Sequence, residues 1–154
     1  MSFPNGQWPN SALMKIPGGR LAKTPARSYL AMRYYIGHKT GVWLTPTGPN
    51  SSYRDLATQK QYWQAHLNGT MPQPVARPGM SFHGEGQAVD LRDPSMWAMV
   101  RKYGAKFGWG IAGNSLGSDA PSEAWHSVYK GGKWLNATAR LNYFRYQRAL
   151  RKGK

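Results

Sequence analysis

Apolar side chains recur at helical spacing in several stretches of the chain and at strand-like spacing in only a few short ones. Thr24-Pro25 opens a first helix, threonine suiting an N-cap and proline the first helical position. Ala26, Leu30 and Tyr34 then follow at fourfold spacing, and Gly37 closes the run. Ser52-Tyr53-Arg54-Asp55 has the serine-then-acid spacing of a helix cap. Behind it Leu56, Trp63 and Leu67 share one face, and Asn68-Gly69 is the stop. Asp93-Pro94 opens a further helix, whose stripe of Met96, Met99, Val100, Tyr103 and Phe107 reads as core. A last helix is expected from Asn136, with Leu141, Tyr143 and Phe144 apolar.

Between these lie strand signals. Val42-Trp43-Leu44, bounded by Gly41 and Pro46, reads as a short strand, and Gln87 to Leu91 alternates as one. Apolar runs cover Phe107 to Ala112 and Trp125 to Tyr129, and Gly131-Gly132 suggests a hairpin turn before Trp134. Residues 1–24 hold Pro4, Pro9, Pro17 and Gly18-Gly19 with no apolar period, and read as an irregular arm on the surface. There is no internal repeat and no linker. The pattern predicts one small α+β domain with a central, mostly antiparallel sheet flanked by helices. It divides into the arm (1–24), a core (25–134) and a basic C-terminal helix (135–154).

Composition narrows the chemistry. A chain of 154 residues suits one domain, and the absence of cysteine excludes disulfide scaffolds, Cys-ligated zinc, iron–sulfur clusters and thiol nucleophiles. No apolar run approaches the roughly 20 residues needed to span a bilayer. The opening MSFPNGQWPNS has neither a charged start nor an apolar core, so no export signal is read. The net charge of +15 points to a polyanionic partner: nucleic acid, an anionic membrane or an acidic wall polymer. Acids are confined between Asp55 and Glu123, and three of the six, Glu85, Asp90 and Asp93, crowd into nine residues beside His83. Such sparing use suggests carboxylates kept for a task. The tail instead carries Arg140, Arg145, Arg148, Arg151, Lys152 and Lys154 with no acid.

Two segments carry candidate chemistry. In Ser81-Phe82-His83-Gly84-Glu85-Gly86-Gln87-Ala88-Val89-Asp90, a His and an Asp seven apart could share a metal only if the chain bends between them. A straight strand would send them to opposite faces. Gly84 and Gly86 permit the bend, and Ala88 is small enough to admit neighbouring backbone. In Glu123-Ala124-Trp125-His126, a carboxylate and an imidazole three apart could add a third ligand with a base beside it. Catalytic zinc takes three such ligands and leaves a fourth place for water, which it makes acidic enough to ionise near neutrality. Taken alone, each segment also suits a structural histidine.

Together, S-x-H-x-x-G-x-A-x-D, E-x-W-H, the lead-in Ala76-Arg77-Pro78-Gly79, and Tyr53-Arg54 with Gln59 five residues on resemble the zinc peptidases of the M15 family. That family contains D-Ala-D-Ala carboxypeptidases and dipeptidases, and the L-alanyl-D-glutamate peptidases found among phage endolysins. The resemblance runs from about Tyr34 to Tyr129. It implies the Hedgehog/DD-peptidase-like fold and one zinc per chain on His83, Asp90 and His126. It also implies Glu123 as general base and Arg54 as the cation facing the oxyanion, with Ser81, Gln59, Tyr53 and Trp125 on the substrate side. The sequence departs from it at Ala124, where many relatives have proline, and at Glu85, an extra carboxylate that reads as facing water. His38 and His66 match no motif and read as surface residues.

The resulting expectation is a zinc-dependent peptidoglycan hydrolase cutting an amide bond of the stem peptide, as a phage endolysin of the L-alanyl-D-glutamate type. It would be made in the cytoplasm of an infected host and reach the wall on release, or travel on the virion. The basic helix would meet an anionic wall polymer or membrane, with no specific nucleic acid as partner, and nothing sets an oligomeric state. A D-Ala-D-Ala carboxypeptidase or dipeptidase on the same fold is the alternative enzyme. A basic nucleic-acid- or wall-binding module without catalysis is the alternative of another class.

Overall fold

The computed structural model describes residues 3–153. Met1, Ser2 and Lys154, at the ends of the expected arm and tail, lie outside the described residues. The rest of the arm is ordered structure rather than an irregular strap. Strands β1 (Leu13–Ile16) and β2 (Gly19–Ala22) form an antiparallel hairpin in which Ile16 faces Gly19. Leu13, Ile16, Leu21 and Ala22 are buried. Strands of four residues are too short to show a period; Pro17 and Gly18 form the turn between them, and Gly19 opens β2.

Helix α1 (Lys23–Thr40) follows directly. Its N-cap is Ala22, without a side-chain cap bond, and the Thr24 hydroxyl donates to the Lys133 carbonyl instead (3.2 Å). The helix runs through Gly37 and ends at Gly41, which adopts φ 81° and donates its N–H to the Gly37 carbonyl. Gly37 stays helical because the Trp43 ring lies where a Cβ would stand. Val42 to Leu44 is therefore a packed connection rather than a strand, and pairing begins only at the isolated Pro46–Leu91 bridge.

Helix α2 (Leu56–Leu67) is capped by Asp55, whose carboxylate accepts the Thr58 N–H at 2.8 Å. Ser52 is not part of the cap; it is buried and accepts the Arg20 N–H. The expected apolar face does not form, since Leu67 is 60% exposed and Gln59 is the residue that α2 buries. This helix serves the site more than the core.

Strand β3 (Ala88–Asp90), helix α3 (Pro94–Tyr103), strand β4 (Trp109–Ile111) and strand β5 (His126–Tyr129) complete the centre. The sheet has order β3-β5-β4 and is antiparallel throughout. Alternation sends Val89, Trp109, Ile111 and Tyr129 to one face, where they join Tyr29, Met32 and Ile36 of α1 in the main core. Gly131-Gly132 turns no hairpin. The chain leaves β5 for helix α4 (Ala137–Arg151), capped by Asn136, whose side chain accepts the Ala139 N–H. Helix α4 lies against α1, with Tyr146 edge-on to Tyr34. The expected α+β class and small antiparallel sheet are what the chain adopts.

Candidate active site

Strand register assembles the first half of the site. Asp90, the last residue of β3, pairs directly with His126, the first of β5, so both side chains leave the same sheet face. His83 arrives from a short 3₁₀ turn, Phe82–Glu85, whose N-cap Ser81 accepts the His83 N–H at 3.1 Å. Gly86 ends that turn with φ 67°, and a Cβ there would stand 2.5 Å from the Ala22 nitrogen. The bend anticipated from the glycines is thus real, and β2 closes over it.

The three side chains meet. His83 Nε2 lies 3.2 Å and His126 Nδ1 3.0 Å from the same Asp90 Oδ1. The ligand atoms of the trio all fall within 4.8 Å of one another. Each imidazole is held by its other nitrogen. His83 Nδ1 is 2.8 Å from the Ser52 carbonyl, which can only accept, so the proton sits on Nδ1 and Nε2 is free to bind a cation. His126 Nε2 is 2.8 Å from Asp119 Oδ1, which leaves Nδ1 as its ligand atom. Two imidazole nitrogens, each with an outer hydrogen-bond partner, and a carboxylate oxygen form a donor set suited to zinc.

Electrostatics follow from burial among opposite charges. Burial alone would raise the Asp90 pKa, but the His83 charge and the hydrogen bonds of both imidazoles hold its carboxyl well below the usual range. Burial would lower His126; hydrogen bonds and charge from Asp119 and Asp90 outweigh it and push the imidazole up to about 9. Glu123 is half-buried, and burial, with Asp90 and Asp119 adding to it, raises its pKa against the pull of His126. A carboxyl shifted upward is a better proton acceptor than one in open water.

Arg54 enters from the other wall. It is 9% exposed and spread over four partners. Its Nε donates to the Asn50 carbonyl and its Nη1 to Gln59 Oε1 (both 3.0 Å), Nη2 lies 3.7 Å from Asp90, and the Tyr62 ring sits 4.4 Å from the guanidinium carbon. Gln59 in turn donates to the Ala76 carbonyl, joining α2 to the segment before His83. All five of His83, Asp90, His126, Glu123 and Arg54 line one cleft of about 600 Å³.

The remaining expected residues divide. Ser81 and Trp125 line the cleft, Trp125 beside Trp97 with ring centroids 6.2 Å apart. Gln59 is buried behind Arg54 and reaches the site only through it. Tyr53 does not face substrate: it is buried, its hydroxyl accepts the Trp8 N–H, and Arg20 covers its ring. Glu85 is half-buried and no part of the ligand trio, and it accepts from the Asn5 amide at 2.9 Å. Asn5 and Gly6, through the Ser81 and Gly84 carbonyls, thereby fasten the N-terminal segment to the His83 turn. Asp119 was missed. It lies seven residues before His126 in an irregular loop, and no spacing rule marks it as that imidazole's partner.

The fold of this small α+β domain is shared with solved peptidase structures. Among solved structures, VanYB in complex with D-alanine-D-alanine matches with a TM-score of 0.58 and 18% identity, covering 92% of this chain and 89% of that one. The vancomycin-resistance D,D-pentapeptidase VanY in complex with Zn(II) matches with a TM-score of 0.57 and 18% identity, over 90% and 92% of the two chains. The LD-carboxypeptidase LdcB matches with a TM-score of 0.61 and 22% identity, over 91% and 76%. No family model matches the chain, and no curated protein matches it by sequence.

Proposed function

We propose that this protein is a zinc-dependent peptidase that cuts an amide bond in the stem peptide of bacterial peptidoglycan, as an endolysin of the L-alanyl-D-glutamate type. The observation that carries the reading is the convergence of His83, Asp90 and His126 in one cleft with a carboxylate of raised pKa and a buried arginine. His83 Nε2, Asp90 and His126 Nδ1 would hold the ion. When bound, zinc supplies Lewis acidity, polarising a carbonyl and making water acidic enough to attack near neutrality. Glu123 takes the proton from the attacking water and returns it to the leaving amine. Arg54, immobilised by Gln59 and Asn50, faces the charge that develops on the carbonyl oxygen, and its fixed orientation costs no rearrangement during reaction.

The cleft's arginines are Arg54, assigned here to the scissile carbonyl, and Arg92, half-exposed beside Asp93. A carboxypeptidase would use such a second cation to bind the terminal carboxylate of its substrate, whereas cleavage within a peptide needs none. The second reading, a D-Ala-D-Ala carboxypeptidase, is favoured by the likeness to VanYB, which was solved with that dipeptide. Delivery from an infected host's cytoplasm upon release, or carriage on a virion, belongs to the same proposal.

Purified wall digested with and without chelator distinguishes the readings by mass spectrometry of the new chain ends. New L-alanine carboxyl and D-glutamate amino ends that vanish with chelator are the expected result. Release of D-alanine alone would establish the second reading. New chain ends unaffected by chelator would remove the metal from the mechanism, and the absence of any new ends would remove the peptidase.

A further inference from the structure

Helix α4 has two sides of unlike chemistry. Ala139 and Asn142 are buried against the body of the protein, with Tyr143 and Tyr146 packed beside them. The opposite side is centred on Phe144, which remains 52% exposed, with Leu141 one turn before it at 49%. Helical geometry places Arg140 and Arg148 one turn to either side of Phe144, and Arg151 a turn beyond. All three arginines are exposed, and no acid occurs after Glu123. Just ahead of the helix, Trp134 is 80% exposed. A second cationic feature adjoins this surface: a groove of about 300 Å³ between α1 and α4, edged by His38, Lys39 and Arg145.

None of these groups lines the catalytic cleft. Charge alone would suit any polyanion. The apolar component is more selective, because a phosphate- or sugar-based wall polymer has at most the small C–H faces of its sugars to cover a phenyl ring and a leucine, whereas acyl chains can desolvate both. A bilayer of anionic lipid offers both parts, phosphate for the arginines and acyl chains for the Phe144, Leu141 and Trp134 side chains exposed beside them. Among the described residues no helix is long and apolar enough to cross a membrane, so the contact would be superficial.

We propose that the outward side of α4, with Trp134, docks the protein on anionic lipid bilayers. The proposal stands apart from the peptidase reading, since it uses no residue of the cleft. The test is co-sedimentation of the full chain with vesicles of phosphatidylglycerol and phosphatidylcholine, against pure phosphatidylcholine vesicles and a soluble anionic wall polymer. Zinc content and far-ultraviolet circular dichroism report whether each variant is folded. Wild type is expected to bind the anionic vesicles and not the neutral ones. Leu141→Ser with Phe144→Ser should weaken binding by about tenfold or more. Arg140→Gln with Arg148→Gln should weaken it by about fivefold per arginine, more so at low salt. Binding to anionic vesicles that the double serine variant leaves unchanged would overturn the proposal, as would absence of vesicle binding. Equal or tighter binding to the polymer, sensitive to the arginines alone, would overturn it in favour of a purely electrostatic wall contact.

Discussion

Glu123 and Asp119 both stand near His126, yet their environments give them different tasks. Glu123 faces the cleft with a raised pKa, so Glu123→Gln should retain zinc while turnover falls by about 10²–10⁴. Metal content beside rate on a soluble muropeptide checks both halves. Asp119 instead holds the far nitrogen of His126. Asp119→Ala should weaken zinc binding by about 10–100-fold, read by competition with a chromophoric chelator, while Asp119→Asn recovers part of it. The same hydrogen bond sets a pH dependence. In metal-free protein His126 titrates at about 9, above its ordinary 6.5, so zinc must displace a proton at any lower pH. Apparent zinc affinity should therefore climb about tenfold per pH unit towards 9 and then level, seen by titration in buffers of different pH. The raised pKa also works on folding. His126 stabilises the metal-free fold fully below pH 6.5, and that contribution is lost as pH rises through about 9. At this scale the candidate ligands were legible because several segments, each weak by itself, agree in order and spacing with one family pattern. Tyr53 and Glu85 were not, because each acquires its role from a segment distant in sequence, Trp8 and Asn5, and Asp119 was not because it reaches His126 from an irregular loop that no spacing rule reads.

Elements explain why the site is rigid. The turn carrying His83 is held from below by β2 against Gly86 and from outside by Asn5 and Gly6. Gly86→Ala would need a left-handed backbone at a non-glycine residue and a methyl 2.5 Å from the Ala22 nitrogen. It should cost about 1–3 kcal/mol in urea unfolding and loosen zinc binding together, because one distortion produces both effects. Helix positions were legible where caps and breakers were strong, as at Asp93-Pro94 and Asn136. They were misread where packing overruled the local signal. Gly37 looks like a stop, but the Trp43 ring needs the space that its missing side chain provides. The β1–β2 hairpin looked like loop because its strands are short and flanked by Pro17 and glycine.

The molecule as a whole couples folding to metal. Ligands from the 3₁₀ turn, β3 and β5 converge only when hairpin, sheet and α2 are all in place, so an ion that binds the folded state alone stabilises all of them. Zinc at about a hundred times its Kd should add roughly 2.7 kcal/mol, raising Tm by about 5–10 °C for a chain of this size. Differential scanning calorimetry with zinc and with chelator measures the difference, and equal melting in both would mean that the cluster does not bind zinc. By itself the sequence determined the α+β class, singled out the His83–Asp90–His126 trio and Arg54, and set the basic character of the tail. Those features rest on residue type and short spacing, which survive without knowledge of distant neighbours. Tertiary structure alone decided which nitrogen of each imidazole faces the cation, which carboxylates are anchors, and which side of α4 is left to solvent. Most of these choices depend on groups brought together across 31 to 80 positions of chain, and that of His126 also on Asp119 in a nearby irregular loop; local patterns carry no information on either.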